Sequence, residues 1–183
     1  MKTGLFGGSF NPPHLGHLRA AEFFARAYAL DRVLVIPAAA PPLKAAPAGA
    51  SNADRLALCR RTFPAGPFDV CDWELRRPGP SYTIDTLRQA RALWPEDRLF
   101  LLVGEDQRAQ FRQWKDWREI LGLAQLAALP RSGQGLSGFV PLEISSTQIR
   151  RMLAAGEDAS RYLSPSALKY ILERKLYGSG GLP

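Results

Sequence analysis

Short, continuously apolar runs alternate with stretches of helical periodicity along almost the whole chain. TGLFGG at 3–8, RVLVIPA at 32–38, RLFLLVG at 98–104 and LAALP at 126–130 read as strands buried on both faces. FDVCDWEL at 68–75 reads as a further strand ending at the turn RRPGP. Helices are expected over 15–29, where Leu15, Leu18, Phe24 and Tyr28 share a face, and over about 53–63, capped by Ser51 or Asn52. Further helices are expected from a Ser81 cap to Pro95, and around 105–112 and 116–122. Such alternation predicts an α/β fold, a doubly wound parallel sheet with right-handed crossovers. A helix opening at about Ser146, and another behind the Ser164-Pro165 cap, add a small helical C-terminal portion over about 145–177. One domain over 1–183 is expected. In parallel sheets ligands sit beyond the carboxyl ends of the strands. That directs attention to 7–17, 37–44, 104–106 and 130–150.

Composition narrows the class. With 183 residues, 46% hydrophobic and 22% charged, the chain is neither disordered nor fibrous. Proline interrupts the apolar stretches well short of the roughly 18 residues of a membrane span. MKTGLFGGSF lacks the apolar core of a secretory signal, so a cytoplasmic protein is expected. Two cysteines, Cys59 and Cys71, make neither a disulfide framework nor a four-ligand zinc site, and read as buried free thiols. The net charge of +7 is spread in short pairs such as Arg60-Arg61, Arg76-Arg77 and Arg150-Arg151 rather than in a basic tail, which suits an anionic ligand of any size.

Two formal motifs fail on context. GQGLSG at 133–138 fits a dinucleotide fingerprint, but FVPLEI follows it where a helix is needed. No glycine precedes a lysine, so no Walker A sequence exists. GGSFNPPHLGH at 7–17 is more informative, because it holds both histidines of the protein directly after the first strand. Gly7, Gly8 and Ser9 would form a turn whose N–H groups can approach a phosphate, at the mouth of a helix opening at Leu15. Pro12 and Pro13 would fix the loop, Gly16 would leave room for a ligand, and His14 and His17 could aim ring N–H groups at an anion. Zinc ligation by the pair lacks further ligands nearby, and no metal site is expected in the protein itself. ISSTQIR at 144–150 places Ser145, Ser146 and Thr147 at a helix start, where dipole and N–H groups favour phosphate, with Arg150 one turn on. Alone, this reads equally as an ordinary cap with a surface arginine. Lys44 alone reads as a solvated lysine, and Trp114 and Trp117 as packing aromatics.

GGSFNPPHLGH resembles the first signature of the HxGH nucleotidylyltransferase superfamily, and ISSTQIR resembles its second, ISSTxIR. PSYTIDTL at 80–87, GED at 104–106, WKDW at 114–117 and the C-terminal LSPSALKYI sharpen the resemblance to bacterial nicotinate-nucleotide adenylyltransferases. It implies a Rossmann-like fold and transfer of AMP from ATP to nicotinic acid mononucleotide, with Mg²⁺ arriving on the ATP. His14, His17, Lys44 and Arg150 would be the catalytic set. Gly7, Gly8, Ser9 and Phe10 would line the ATP site, Gly104 and Asp106 would hold the adenosine ribose, and Ser145, Ser146 and Thr147 would serve the phosphates. Thr83 and Lys115 would offer N–H groups to the nicotinate carboxylate while Trp114 stacks on the ring. The chain departs from the pattern at Leu43, where PPLK replaces PPHK, at Asn11, often an aspartate, and at Glu105. Adenylylation of phosphopantetheine or of the amide mononucleotide, and a basic nucleic-acid-binding domain, are the competing readings. The first lacks a counterpart of PSYT, and the last leaves the paired histidines unexplained.

Overall fold

The structure, a computed structural model, describes residues 1–42, 49–129 and 139–181. Five parallel strands, β1 (Lys2–Gly8), β2 (Arg32–Pro37), β3 (Phe68–Val70), β4 (Arg98–Val103) and β5 (Gln125–Ala128), pair in the order β3-β2-β1-β4-β5. Successive strand residues point to opposite faces. Phe6, Val33, Val35, Phe100 and Leu102 therefore meet α1 (Leu15–Ala27) and Cys59 of α2 (Asn52–Thr62) in one core. Leu5, Leu34, Ile36, Leu99, Leu101 and Val103 meet α4 (Thr83–Leu93) and α6 (Trp117–Leu123) in another. Both faces are covered, which is why these strands read as unbroken apolar runs.

A third cluster joins Leu58 of α2 to Ile149 and Leu153 of α7 (Ser146–Ala154), to Ala167 and Ile171 of α8 (Pro165–Glu173), and to Tyr177. Ser164 caps α8 by accepting from the Ala167 N–H at 3.3 Å, with Pro165 in the first turn. Ser51 caps α2 in a reciprocal box with Asp54. At the end of the sheet away from the strands' carboxyl ends, Asp97 accepts from Thr3, Arg32 and the N-terminal ammonium at 2.6, 2.7 and 3.1 Å. Those hydrogen bonds hold its carboxyl down at about 2.

Several expectations need correction. β3 stops at Val70, and residues 73–76 form a helical turn, α3 (Trp73–Arg76). Trp73 stacks on Trp94 at 5.6 Å and the buried Glu74 accepts from Thr86 at 2.7 Å, so side-chain packing turns the chain away from the sheet edge. Ser81 does not cap α4. Tyr82 takes that position, and the Ser81 hydroxyl accepts from the Ala39 and Ala40 N–H groups at 3.0 and 3.3 Å. α1 ends at Ala27, before Ala29 at positive φ, and its buried face is Ala20, Ala21, Phe23 and Phe24. The 105–112 stretch divides into α5 (Glu105–Ala109) and a 3-10 turn, Phe111–Gln113. Cys59 is buried and Cys71 only half-buried.

Candidate active site

β1 lies between β2 and β4, so the chain leaves it toward one side of the sheet and later returns on the other. At such a switch point the loops after the two strands diverge and leave a crevice. The loop after β1 carries GGSFNPPHLGH and the loop after β4 carries Gly104–Asp106.

The first turn is built on the Phe10 ring. Phe10 has φ +44° and is 2% exposed, with its ring against Phe6, Phe63 and His17 at 5.6, 5.9 and 5.1 Å. A bulky residue in left-handed backbone costs about 1–3 kcal/mol, and the burial of the ring offsets it. A side chain on Gly8 would begin 3.0 Å from that ring, whereas one on Gly7 would meet nothing within 4 Å. Gly8 thus makes room for Phe10, and only Gly7 leaves open space. The Asn11–Pro12 peptide is cis, and residues 11–14 are all buried.

His14 occupies the N-cap position of α1, and His17, three residues on, accepts a hydrogen bond at Nδ1 from the His14 backbone N–H at 3.2 Å. A neutral His17 therefore carries its proton on Nε2. The two rings lie 3.7 Å apart. His14 is 6% exposed, its Nδ1 has no hydrogen-bond partner among the described residues, and burial pulls its pKa down to about 4. It is neutral at pH 7. A Cβ on Gly16 would lie 2.9 Å from that Nδ1 and 3.0 Å from Cε1, so the space at Gly16 serves the His14 ring and not a ligand.

The second signature meets the first. Ser145 caps α7 in a reciprocal box with Gln148, whose Oε1 accepts from both the Ser145 N–H and its hydroxyl at 2.8 Å. The Ser146 hydroxyl donates to the Pro12 carbonyl at 2.8 Å. Arg150 donates from Nη1 to the Asn11 carbonyl at 2.7 Å and from Nη2 to Thr147 Oγ1 at 3.2 Å. Each of these groups has a structural task, and the remaining Arg150 donors are uncommitted among the described residues.

Around the crevice, the Gly104 N–H donates to Gln107 Oε1 at 3.0 Å and Asp106 is exposed. Thr83 opens α4, whose N-cap Tyr82 provides no side-chain acceptor. Trp114 is half-buried against Phe111 at 5.5 Å, and the Lys115 ammonium sits 4.6 Å over the Tyr82 ring, which brings 114–115 to the start of α4. Lys44 and GQGLSG at 133–138 lie outside the described residues. Sequence reasoning missed Arg55, which donates to the Ser9 carbonyl at 2.6 Å, and Tyr177, whose hydroxyl donates to Asn11 Oδ1 at 2.7 Å. Neither position carries a local signal, since each contact spans a long stretch of chain.

Among the described residues no three His, Cys, Asp or Glu side chains gather where they could hold a metal ion, and no helix is long and apolar enough to cross a membrane. The loop with the paired histidines thus leaves the sheet at its switch point and is tied to the helix that carries Arg150. The chain belongs to the cytidylyltransferase-like family, whose model matches residues 5–152. It is 42% identical to a protein of Chlorobaculum tepidum described as a probable nicotinate-nucleotide adenylyltransferase, over 98% of this chain and all of the relative. A Thermus thermophilus protein of the same description is 43% identical over 95% of this chain and 97% of its own. The fold matches a solved structure from Vibrio parahaemolyticus with a TM-score of 0.76 at 24% identity, covering 97% of this chain and 96% of that one. It also matches the Plasmodium falciparum nicotinic acid mononucleotide adenylyltransferase complexed with NaAD, with a TM-score of 0.75 at 16% identity, covering 97% and 98%.

Proposed function

We propose that the chain transfers AMP from ATP to nicotinic acid mononucleotide, giving nicotinic acid adenine dinucleotide and pyrophosphate. The observation that carries this reading is the junction of the two signatures. Ser146 and Arg150 of α7 bond the Pro12 and Asn11 carbonyls of the histidine loop at 2.8 and 2.7 Å, which ties the donors of the two signatures together.

An oxygen of the mononucleotide's phosphate attacks the α-phosphorus of ATP, and the bond from that phosphorus to the α–β bridging oxygen breaks. The nucleophile is a phosphate monoester, largely dianionic at pH 7 because its second pKa is near 6, so no general base has to deprotonate it. The protein's task is alignment of anions and neutralisation of charge building on the bridge. His14 and His17 supply ring N–H donors to that charge, and Arg150 a guanidinium. Lys44 belongs to the same set in this reading. His14, neutral in the free protein, is a donor first, and an anion beside it favours its protonated form.

Gly7, Gly8, Ser9 and Phe10 contribute main-chain groups to the ATP site, the Phe10 ring being spent in the core. Gly104 and Asp106 take the ribose, while Ser145, Ser146 and Thr147 shape the phosphate end of α7. Thr83 and Lys115 receive the nicotinate carboxylate and Trp114 stacks on its ring. Mg²⁺ would accompany the triphosphate and neutralise part of its charge, and no step is routed through it. A cytoplasmic location accompanies these substrates. The test is pyrophosphate release from ATP and Mg²⁺ against a panel of phosphorylated acceptors. Release with nicotinic acid mononucleotide is expected, and release only with phosphopantetheine, or with none, overturns the reading.

A further inference from the structure

Arg55 stands in α2, outside both signatures, and is 5% exposed. Its Nη1 donates to the Ser9 carbonyl and its Nη2 to Asn52 Oδ1, each at 2.6 Å. Both acceptors are neutral. The adjacent Asp54 is committed elsewhere, accepting from Ser51, from the Tyr170 hydroxyl at 3.0 Å and from Arg174 Nε at 2.8 Å. Among the described residues Arg55 therefore has no carboxylate partner. A guanidinium stays protonated even when burial disfavours its charge, so this is a buried cation without a counter-ion. Uncompensated buried charge is costly, and Arg55 directs it to the turn that leads to the histidines, where an anion would compensate it.

Its main contact lies in the turn that leads to the histidines. In a trans peptide the C=O and the following N–H point in opposite directions. Arg55 holds the Ser9 carbonyl toward α2, so the Phe10 N–H faces away from α2. The Gly8 carbonyl accepts from the Ala38 N–H at 2.9 Å, so the Ser9 N–H faces away from β2. Two successive N–H groups thus point away from the elements that hold the Gly8 and Ser9 carbonyls. The Tyr177 hydroxyl fixes the next residue through Asn11 Oδ1 at 2.7 Å.

Resting on the function proposed above, the geometry points to Arg55 as a positioning residue of the phosphate-binding turn, which orients the Ser9 and Phe10 N–H groups and takes an incoming polyphosphate as the long-range counter-ion of its buried charge. Arg55→Met removes charge and fork, whereas Arg55→Lys keeps the charge but cannot hold Ser9 and Asn52 together. Binding of inorganic pyrophosphate is measured by calorimetry, and ATP KM and kcat by pyrophosphate release. Arg55→Met is expected to weaken pyrophosphate binding and raise the ATP KM by about tenfold or more, because the turn's N–H groups lose their orientation and the site loses a positive charge. Arg55→Lys is expected to restore pyrophosphate binding to within about threefold of the parent while kcat stays about tenfold down, because charge returns and turn geometry does not.

A merely structural arginine would lower the melting temperature and leave both affinities alone in the folded fraction. That result overturns the proposal, as does failure of both variants to fold, which would make Arg55 a folding residue. A parent that binds pyrophosphate through Arg55 but releases none from ATP and the mononucleotide upholds the turn and sinks the proposed function instead. An active parent with an unchanged Arg55→Met variant sinks only the role of Arg55.

Discussion

His17 Nδ1 accepts the backbone N–H of His14 at 3.2 Å, so the second histidine of the signature caps the helix that carries it. This gives His17 two separable tasks. Its Nδ1 accepts the cap bond, so the ring's N–H donor is Nε2 when the imidazole is neutral, and in the proposed reaction that group serves the phosphates. His17→Ala is expected to lower kcat by roughly 10²–10³, the usual loss for one transition-state donor. Loss of the cap should cost only about 1 kcal/mol of stability. Steady-state kinetics beside a urea melt separate the two. A variant that keeps more than half the parent kcat removes His17 from the chemistry.

Gly16→Ala tests the packing of the first histidine. The new methyl group would start 2.9 Å from His14 Nδ1, and the Leu142 carbonyl stands 3.5 Å away on the same side. The imidazole has to move, and it lies against the tilted His17 ring, 3.7 Å away between centroids. Displacing a positioned donor by about 1 Å is expected to cost about 10² in kcat with ATP KM changing far less. Equal kcat in parent and variant would show that the ring relocates without consequence.

The burial of His14 makes stability depend on pH. Its pKa is about 4 in the folded chain against 6.5 for a free side chain. Between those values the unfolded state binds the extra proton. The contribution is therefore fully present above pH 6.5 and is lost as pH falls toward 4, at most on the order of 3 kcal/mol in all. His14→Gln should flatten the dependence of the urea midpoint across that window relative to the parent. Parallel curves for the two proteins would mean that other groups set the acid limb.

Much of this site was legible in the sequence, for reasons that also explain what was not. Runs such as RVLVIP declare a strand buried on both faces because each residue lands in one of two cores. The signatures are legible because turn glycines, prolines and caps act locally. Cys71–Leu75 misled because the stack of Trp73 on Trp94 decides its path, and Trp94 lies at the far end of α4. Ser81 has the chemistry of a cap, yet its hydroxyl is claimed by Ala39 and Ala40. Arg55 could not be distinguished from a solvated helix arginine, since burial of a charge follows from tertiary packing and leaves no trace in periodicity. Gly16 was read as leaving room for a ligand, but a side chain there would meet the protein's own His14 ring, a contact the sequence does not show.

Arg150→Lys keeps a charge on α7 but gives up the planar fork that spans the Asn11 carbonyl and Thr147 Oγ1. The loop would lose one of its two ties to α7 and keep the Ser146–Pro12 bond. A single hydrogen bond is worth about 1 kcal/mol to stability, so folding should survive. kcat/KM for ATP is expected to fall about tenfold or more, because the loop geometry and the phosphate donors change together. Parent-like values in the lysine variant would return Arg150 to a surface role.

The last expectation concerns the acceptor. Nicotinate and nicotinamide share ring and size and differ by a carboxylate against a neutral amide, so shape discriminates little between them. Charge can. α4 opens at Thr83 with no side-chain cap from Tyr82; the Asp85 N–H bonds the Tyr82 carbonyl at 3.2 Å, which leaves the Thr83 and Ile84 N–H groups at the positive end of the helix dipole. The Lys115 ammonium, 4.6 Å over the Tyr82 ring, adds a full charge beside that helix start. An amide would point its NH₂ at these donors and leave one of them unpaired, at a cost of about 1–3 kcal/mol. The acid mononucleotide is therefore expected to be preferred by at least ~10² in kcat/KM, a gap of about 2.7 kcal/mol. Lys115 is exposed, so Lys115→Met should reduce the preference only about three- to tenfold, with the helix N–H groups carrying the remainder. Trp114→Ala should raise the KM of the mononucleotide far more than that of ATP, since only the pyridine ring has a face to stack. Kinetics with both mononucleotides on the parent and the two variants decide the matter. Equal use of acid and amide by the parent would mean that the start of α4 does not receive the carboxylate at all.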